Sequence, residues 1–164
     1  MWSFKPSRRA FVLGAAILPL VAACGFQPVL APQSASGQLL SRLSVREPGS
    51  ASEYVFAERM EERIGRNAGD LQLNYSISIG QSASGITRSQ VTNRYMVTGR
   101  VTFSVAPVGG GEALYSGVVT AFTGYSATGS TVATQAASRD AEERIAIQLA
   151  DQTISRLMAE ANLK

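Results

Sequence analysis

The stretch Leu71-Gln72-Leu73-Asn74-Tyr75-Ser76-Ile77-Ser78-Ile79 alternates without a break. Leu71, Leu73, Tyr75, Ile77 and Ile79 fall on one side and Gln72, Asn74, Ser76 and Ser78 on the other. A period of two is that of a strand with one face buried and one face wet, because successive side chains of an extended chain point to opposite sides. The run Arg94 to Val105 repeats the pattern, with Tyr95, Val97, Val101, Phe103 and Val105 inward and Gly99 in register. A polar loop is expected between them, from Gly80 to Asn93. Pro107-Val108-Gly109-Gly110-Gly111 then turns the chain into a third strand, Ala113 to Thr123. Here Leu114, Val118 and Phe122 stand against Tyr115, Val119 and Ala121, so either face qualifies as the buried one.

Two helices flank these strands. Ser50 and Glu53 form a capping-box pattern after Pro48-Gly49. The helix that follows carries Tyr54, Ala57, Met60 and Ile64 as a stripe, with Phe56 beside it, and Gly65 and Gly69 mark its end. Its charges, among them Glu58, Arg59, Glu62 and Arg63, are expected to form a solvated face. Thr128-Gly129-Ser130 caps a longer helix with a broad stripe made of Ala133, Ala137, Ala141, Ile145 and Leu149 beside Ala146, Ala150, Ile154, Leu157 and Ala161. A short strand from Leu39 to Arg46 completes the set. The expectation is an α+β fold in the order β-α-β-β-β-α, a mainly antiparallel four-stranded sheet with two helices packed on one face. The other face is expected to be rich in Ser, Thr, Asn and Gln.

The first 38 residues are of a different kind. Lys5, Arg8 and Arg9 precede Phe11 to Ala23, which holds no charge. A basic start, a short apolar run and small residues before a cut describe a secretory signal. The apolar run falls short of the about 20 residues that cross a bilayer, and Pro19 interrupts it. Val21-Ala22-Ala23-Cys24 resembles the lipobox of bacterial lipoproteins, in which the cysteine thiol receives diacylglycerol and the signal is cut before it. Residues 1–23 are then a signal peptide, 24–38 an acylated N-terminus and tether, and 39–164 one domain. Gly25 follows the cysteine where many inner-membrane lipoproteins have Asp, which favours the outer membrane. Arg8-Arg9 also resembles a twin-arginine export signal, and the route stays open between that and the general one.

Loss of the signal changes the electrostatics. The chain has 15 Lys and Arg against 12 Asp and Glu. Removing Lys5, Arg8 and Arg9 brings the two signs to parity, so the pI near 9.4 is no argument for nucleic-acid binding. With no histidine and one cysteine, neither a Ser-His-Asp triad, a Cys-His dyad, a His-containing zinc site nor an internal disulfide is available. Adjacent carboxylates at Glu61-Glu62 and Glu142-Glu143 point about 100° apart on a helix and do not converge. These features offer little to an enzyme, a cofactor or a metal.

Cys24-Gly25-Phe26-Gln27-Pro28, Thr92-Asn93-Arg94-Tyr95 and Ala137-Ser138-Arg139-Asp140-Ala141, with Arg144, Leu149-Ala150 and Ile154, carry a resemblance to the lipopolysaccharide-assembly lipoprotein family LptE in its alphaproteobacterial form. The resemblance spans nearly the whole chain after the signal. It implies a non-enzymatic lipoprotein on the periplasmic side of the outer membrane. Such a protein plugs the large barrel LptD, binds lipopolysaccharide and assists its assembly at the surface. Under that reading Arg88, Arg94 and Arg100 are the candidate contacts for lipid A phosphates, since guanidinium forks suit phosphate. The alternative is an auxiliary lipoprotein of an ABC-type phospholipid or solvent transport system.

Overall fold

A computed structural model describes residues 33–66, 68–86 and 92–161. The elements run α1 (Ala35–Ser41), β1 (Leu43–Val45), α2 (Ala51–Ile64), β2 (Leu71–Ile86), β3 (Thr92–Pro107), β4 (Tyr115–Ser126) and α3 (Thr131–Ala161). The four strands lie in sequence order in one sheet. The α+β class stands, while three details of the expectation need correction.

The first is a third helix. Ser34 accepts a hydrogen bond from the Gly37 amide at 3.0 Å and starts α1 inside the stretch read as tether. Seven residues show too little periodicity to be told from a strand, and a helix this short is held by packing rather than propensity. Leu39 and Leu40, read as the start of a strand, are both buried in the common core. The strand shrinks to Leu43–Val45, and the order becomes α-β-α-β-β-β-α.

The second is the direction of β1. It pairs parallel with β2, Leu43 beside Leu71 and Val45 beside Leu73, so the sheet is mixed. Helix α2 between the two strands carries the chain back to the end from which β1 started, as a crossover must. The capping box that launches α2 is present in altered form. The Glu53 amide donates to Ser50 Oγ at 3.3 Å, while the Glu53 carboxylate accepts from the Gly49 amide at 2.8 Å.

The third is the 80–93 loop, much of which is strand. β2 and β3 pair from Leu71↔Pro107 out to Ile86↔Thr92, with register shifts around Gly85. The apolar alternation stops at Ile79 because Gln81, Ser82, Ala83 and Ser84 stand exposed beyond the core. Ladder hydrogen bonds extend the strand where burial gives no signal.

Orientation of β4 is settled by burial. Val119 and Ala121 lie under α3, whereas Val118 and Phe122 face outward. The core joins both layers through Leu43, Phe56, Met60, Leu73, Val97, Val101, Val105, Ile145, Leu149, Ile154 and Leu157. The expected stripe of α3 is buried from Ala141 onward, while Ala133 near its start is exposed. At Gly99 a Cβ would stand 2.7 Å from Leu149 Cδ1, so the glycine lets α3 approach the sheet. Glycines 109, 110 and 111 all adopt positive φ in the turn after β3, as the sequence requires.

The charges of α2 do more than meet solvent. Arg59 reaches Asp151 of α3 with Nε at 3.0 Å and Nη2 at 3.2 Å, and Arg63 Nη1 reaches the same carboxylate at 3.1 Å. The like-charged arginines one turn apart tolerate each other because one anion from the neighbouring helix sits between them. Strand-side, Arg46 Nη2 donates to Glu53 at 3.1 Å and to the Tyr75 carbonyl at 3.0 Å. Its guanidinium lies 4.7 Å from the Tyr75 ring centre. The Tyr75 hydroxyl donates to the Arg46 carbonyl at 3.2 Å, and Phe56 packs on the ring at 4.7 Å. Burial, helped by the Glu53 and Glu61 charges and opposed by Arg46, pushes the Tyr75 phenol up to about 12.

Candidate functional site

The face of the sheet turned away from the helices is the surface the fold leaves open. Alternation places Asn74, Ser76 and Ser78 of β2 there, with Arg94, Met96, Thr98, Arg100, Thr102 and Ser104 of β3. β4 adds Ser116, Val118, Thr120 and Phe122. The expected polar character holds, with one addition: Met96, Val118 and Phe122 are exposed apolar side chains, Phe122 at 75%. The signal for them was in the sequence, since the 113–123 run has apolar residues at both parities and only one parity can be buried.

Charge on this face has a single sign. None of β2, β3 and β4 contains Asp or Glu, and Arg94 and Arg100 are their only ionised side chains among the described residues. Arg100 lies in the middle strand, level with Ser78 on β2 and Thr120 on β4. Its diagonal neighbours on β4 are Val118 and Phe122, so a cation stands amid hydroxyls and apolar groups. Arg94 is level with Gly85 and Ser126, near the end of the β2–β3 hairpin. Both arginines are exposed and share the outer face, as expected. Six residues of strand separate them, about 20 Å at roughly 3.4 Å per residue. At that separation they are too far apart to grip one phosphate together. Arg88 and Cys24 lie outside the described residues.

The helical side has the opposite character. A groove of about 420 Å³ between α2 and α3 is lined by Val55, Ile147, Glu58, Glu62, Glu143 and Arg59. At the end of the sheet near Ser138, the side-chain amide of Gln81 donates to Ser138 Oγ at 3.1 Å and to Glu142 at 2.8 Å. Its carbonyl oxygen accepts from Tyr125 at 2.9 Å, and the Tyr125 ring stacks on Tyr95 at 5.2 Å. Arg144 ties α3 to β4 through Thr123 Oγ1 and the Gly124 carbonyl. These bonds fix the sheet against α3 and leave the outer face to whatever lies beyond. Among the described residues no group of His, Cys, Asp and Glu is placed to hold a metal ion. No described helix is long and apolar enough to cross a membrane.

Comparison with solved structures supports the fold. A lipoprotein from Caulobacter crescentus CB15 superimposes with a TM-score of 0.64 at 17% identity, covering 79% of this chain and 97% of that one. The rare lipoprotein B of Shewanella oneidensis gives 0.54 at 21% identity, with 74% and 94% covered. A minor lipoprotein of Acinetobacter baumannii gives 0.53 at 17% identity, with 73% and 92% covered. No curated protein sequence matches the chain significantly. The profile of the lipopolysaccharide-assembly family LptE matches residues 40–157, from the buried end of α1 through the core stripe of α3. The chain belongs to the LptE family of lipopolysaccharide-assembly proteins.

Proposed function

We propose that the chain is an outer-membrane lipoprotein, anchored through diacylglycerol on Cys24, that plugs an LptD-type barrel and assists lipopolysaccharide to the cell surface. The family match carries this reading. The architecture is compatible with it: a domain braced by ion pairs on its helical side, with a broad sheet face that mixes hydroxyls, apolar groups and cations but no carboxylates. Such a face can lie against a polar barrel lumen or along an amphipathic glycolipid. Membership of a lipopolysaccharide-assembly family ranks this above an auxiliary role in ABC-type phospholipid transport.

Extraction of the acylated chain in mild detergent is expected to recover a roughly one-to-one complex with a large barrel protein. Recovery of the lipoprotein alone, or with an ATPase and a permease, would sink the proposal. A Cys24→Ala chain is expected to leave the outer membrane when the barrel is depleted. Retention there without the barrel would show that acylation is not the anchor.

Arg88, Arg94 and Arg100 are proposed to meet lipid A phosphates. A hydrogen bond to a charged group contributes about 1.5–3 kcal/mol, so Arg100→Glu should weaken lipopolysaccharide binding by roughly tenfold or more. The arginines at 94 and 100 are about 20 Å apart, so the Arg94→Glu loss should add independently. Unchanged binding in the double variant, with the fold intact by circular dichroism, would remove these two residues from the contact.

A further inference from the structure

We propose that β4 joins two copies of this chain, its outer edge pairing antiparallel with the same strand of the second copy about a two-fold axis at Thr120. The inference goes beyond the one-to-one complex above, concerns the chain outside it, and does not depend on it.

The sheet order leaves β4 at one edge, and no described strand lies beyond it. Sheet edges are ordinarily blunted by shortness, charge, proline or a bulge, since a bare row of amides and carbonyls recruits other strands. β1, at the other edge, is three residues long. β4 is 12 residues long and reads Tyr-Ser-Gly-Val-Val-Thr-Ala-Phe-Thr-Gly-Tyr-Ser, without a charge or a proline. Its register with β3 runs unbroken from Arg94↔Ser126 to Val105↔Tyr115, so no bulge twists it away. A groove of about 370 Å³ follows its centre, between Thr120, Ala121 and Phe122 and the α3 residues Gln148, Asp151 and Gln152. Asp151 is already held by Arg59 and Arg63, and Arg144 covers the Gly124 carbonyl toward one end of the strand, which leaves Gln148 and Gln152 as the α3 side chains beside the centre of the edge.

The shape of the occupant follows from the backbone, because a row of ladder groups is satisfied by another extended strand. Its identity follows from the side chains. Val118 and Phe122, 48% and 75% exposed, stand two residues either side of Thr120 on the outer face. Antiparallel self-pairing centred on Thr120 therefore sets Val118 of each copy opposite Phe122 of the other, forming two aromatic–branched cross-strand pairs. An isologous contact must be complementary to itself, and an uncharged strand meets its copy without repulsion. On the buried side the same register faces Val119 with Ala121, the two inward residues that α3 covers.

The test uses the full-length chain in its own membrane, with the barrel protein depleted so that the chain stands outside the one-to-one complex. Thr120→Cys brings two thiols together across the axis, where opposite Cβ atoms are about 5 Å apart. Ser126→Cys leaves them about 40 Å apart, and the parent chain with Cys24 alone sets the background. Oxidation is expected to give a covalent dimer with Thr120→Cys, at least tenfold more than with Ser126→Cys. Sedimentation of the detergent-solubilised chain should show Phe122→Glu and Val118→Lys each weakening the dimer at least tenfold. An equimolar mixture of those two should restore it, because Glu then faces Lys. Equal cross-linking at 120 and 126, or a dimer unaffected by both single changes, overturns the proposal. A chain that stays monomeric at every concentration also overturns it, and assigns the edge to the chain's own leading residues or to another protein.

Discussion

Gly69→Ala is expected to be the most damaging single-methyl change in the domain. A Cβ at Gly69 would lie 1.7 Å from the carbonyl oxygen of Arg42 and 2.2 Å from its carbonyl carbon. Those are backbone atoms, so no rotamer change relieves the overlap. The same carbonyl accepts from the Leu71 amide at 3.1 Å, and Arg42 pairs with Asp70 through Nε at 2.8 Å. Moving Arg42 away breaks the junction at which α1 ends, β1 begins and β2 takes its register. Overpacking typically costs about 1–3 kcal/mol; with no side chain able to yield, about 4 kcal/mol or more is expected. Domains of this size are stable by about 5–15 kcal/mol, so much of the reserve would go. Urea unfolding followed by circular dichroism should show the midpoint falling steeply, and the Leu71 amide should lose protection from hydrogen exchange. A midpoint shift worth less than about 1 kcal/mol would mean that the α1–β1 junction is looser than the structure shows.

Gly69 also shows where the sequence could be read and where it could not. It was legible as a stop after α2, since glycine commonly follows a helix. Its closer constraint, a neighbouring carbonyl from 27 positions earlier, exists only once β1 lies beside β2. The long elements were legible because burial wrote its period into them: Leu71 to Ile79, Tyr95 to Val105 and the stripe from Ala141 to Ala161. The missed features lack such a period. α1 is too short for a stripe, β1 is too short for alternation, and the hairpin extension Gln81 to Ile86 lies partly beyond the core. The parallel pairing of β1 was derivable from the β-α-β order, because a helical crossover returns the chain to the same end. The candidate surface was half legible. Its hydroxyls and arginines follow from strand parity, but the apolar Val118 and Phe122 could be assigned to it only after α3 had taken Val119 and Ala121.

That division bears on function. The helical layer spends its charges on itself, with Arg59, Arg63 and Asp151 locking α2 to α3 and Arg144 locking α3 to β4. The sheet layer has no carboxylate to offer, and its two arginines have no acidic neighbour on the strands. A molecule built this way presents one braced side and one receptive side. Receptivity comes from unspent hydrogen-bonding groups and exposed apolar area rather than from a pocket with catalytic groups.

Phe56→Ala is expected to cost about 3–5 kcal/mol, the range for emptying a fully buried aromatic site, and to leave a second signature. Phe56 has no exposed surface and its ring lies 4.7 Å from that of Tyr75, at an angle of 35°. It forms part of the wall that keeps water from the phenol, and burial is the largest cause of the shift to about 12. Opening that wall should bring the phenol down toward its ordinary value near 10. The sign of the pH effect follows from the direction of the shift. An acid whose folded pKa is raised favours the folded state while it is protonated. Its contribution is complete below about pH 10 and is lost as the pH rises from there through 12. The parent domain should therefore lose stability across that window, and the Phe56→Ala variant, already weaker at neutral pH, should lose less of what remains. The phenol is resolved from the other four tyrosines by subtracting the ultraviolet titration of a Tyr75→Phe chain. A Phe56→Ala chain that is destabilised yet still ionises Tyr75 near 12 would show that Arg46 and the strands, not the Phe56 ring, keep the phenol dry.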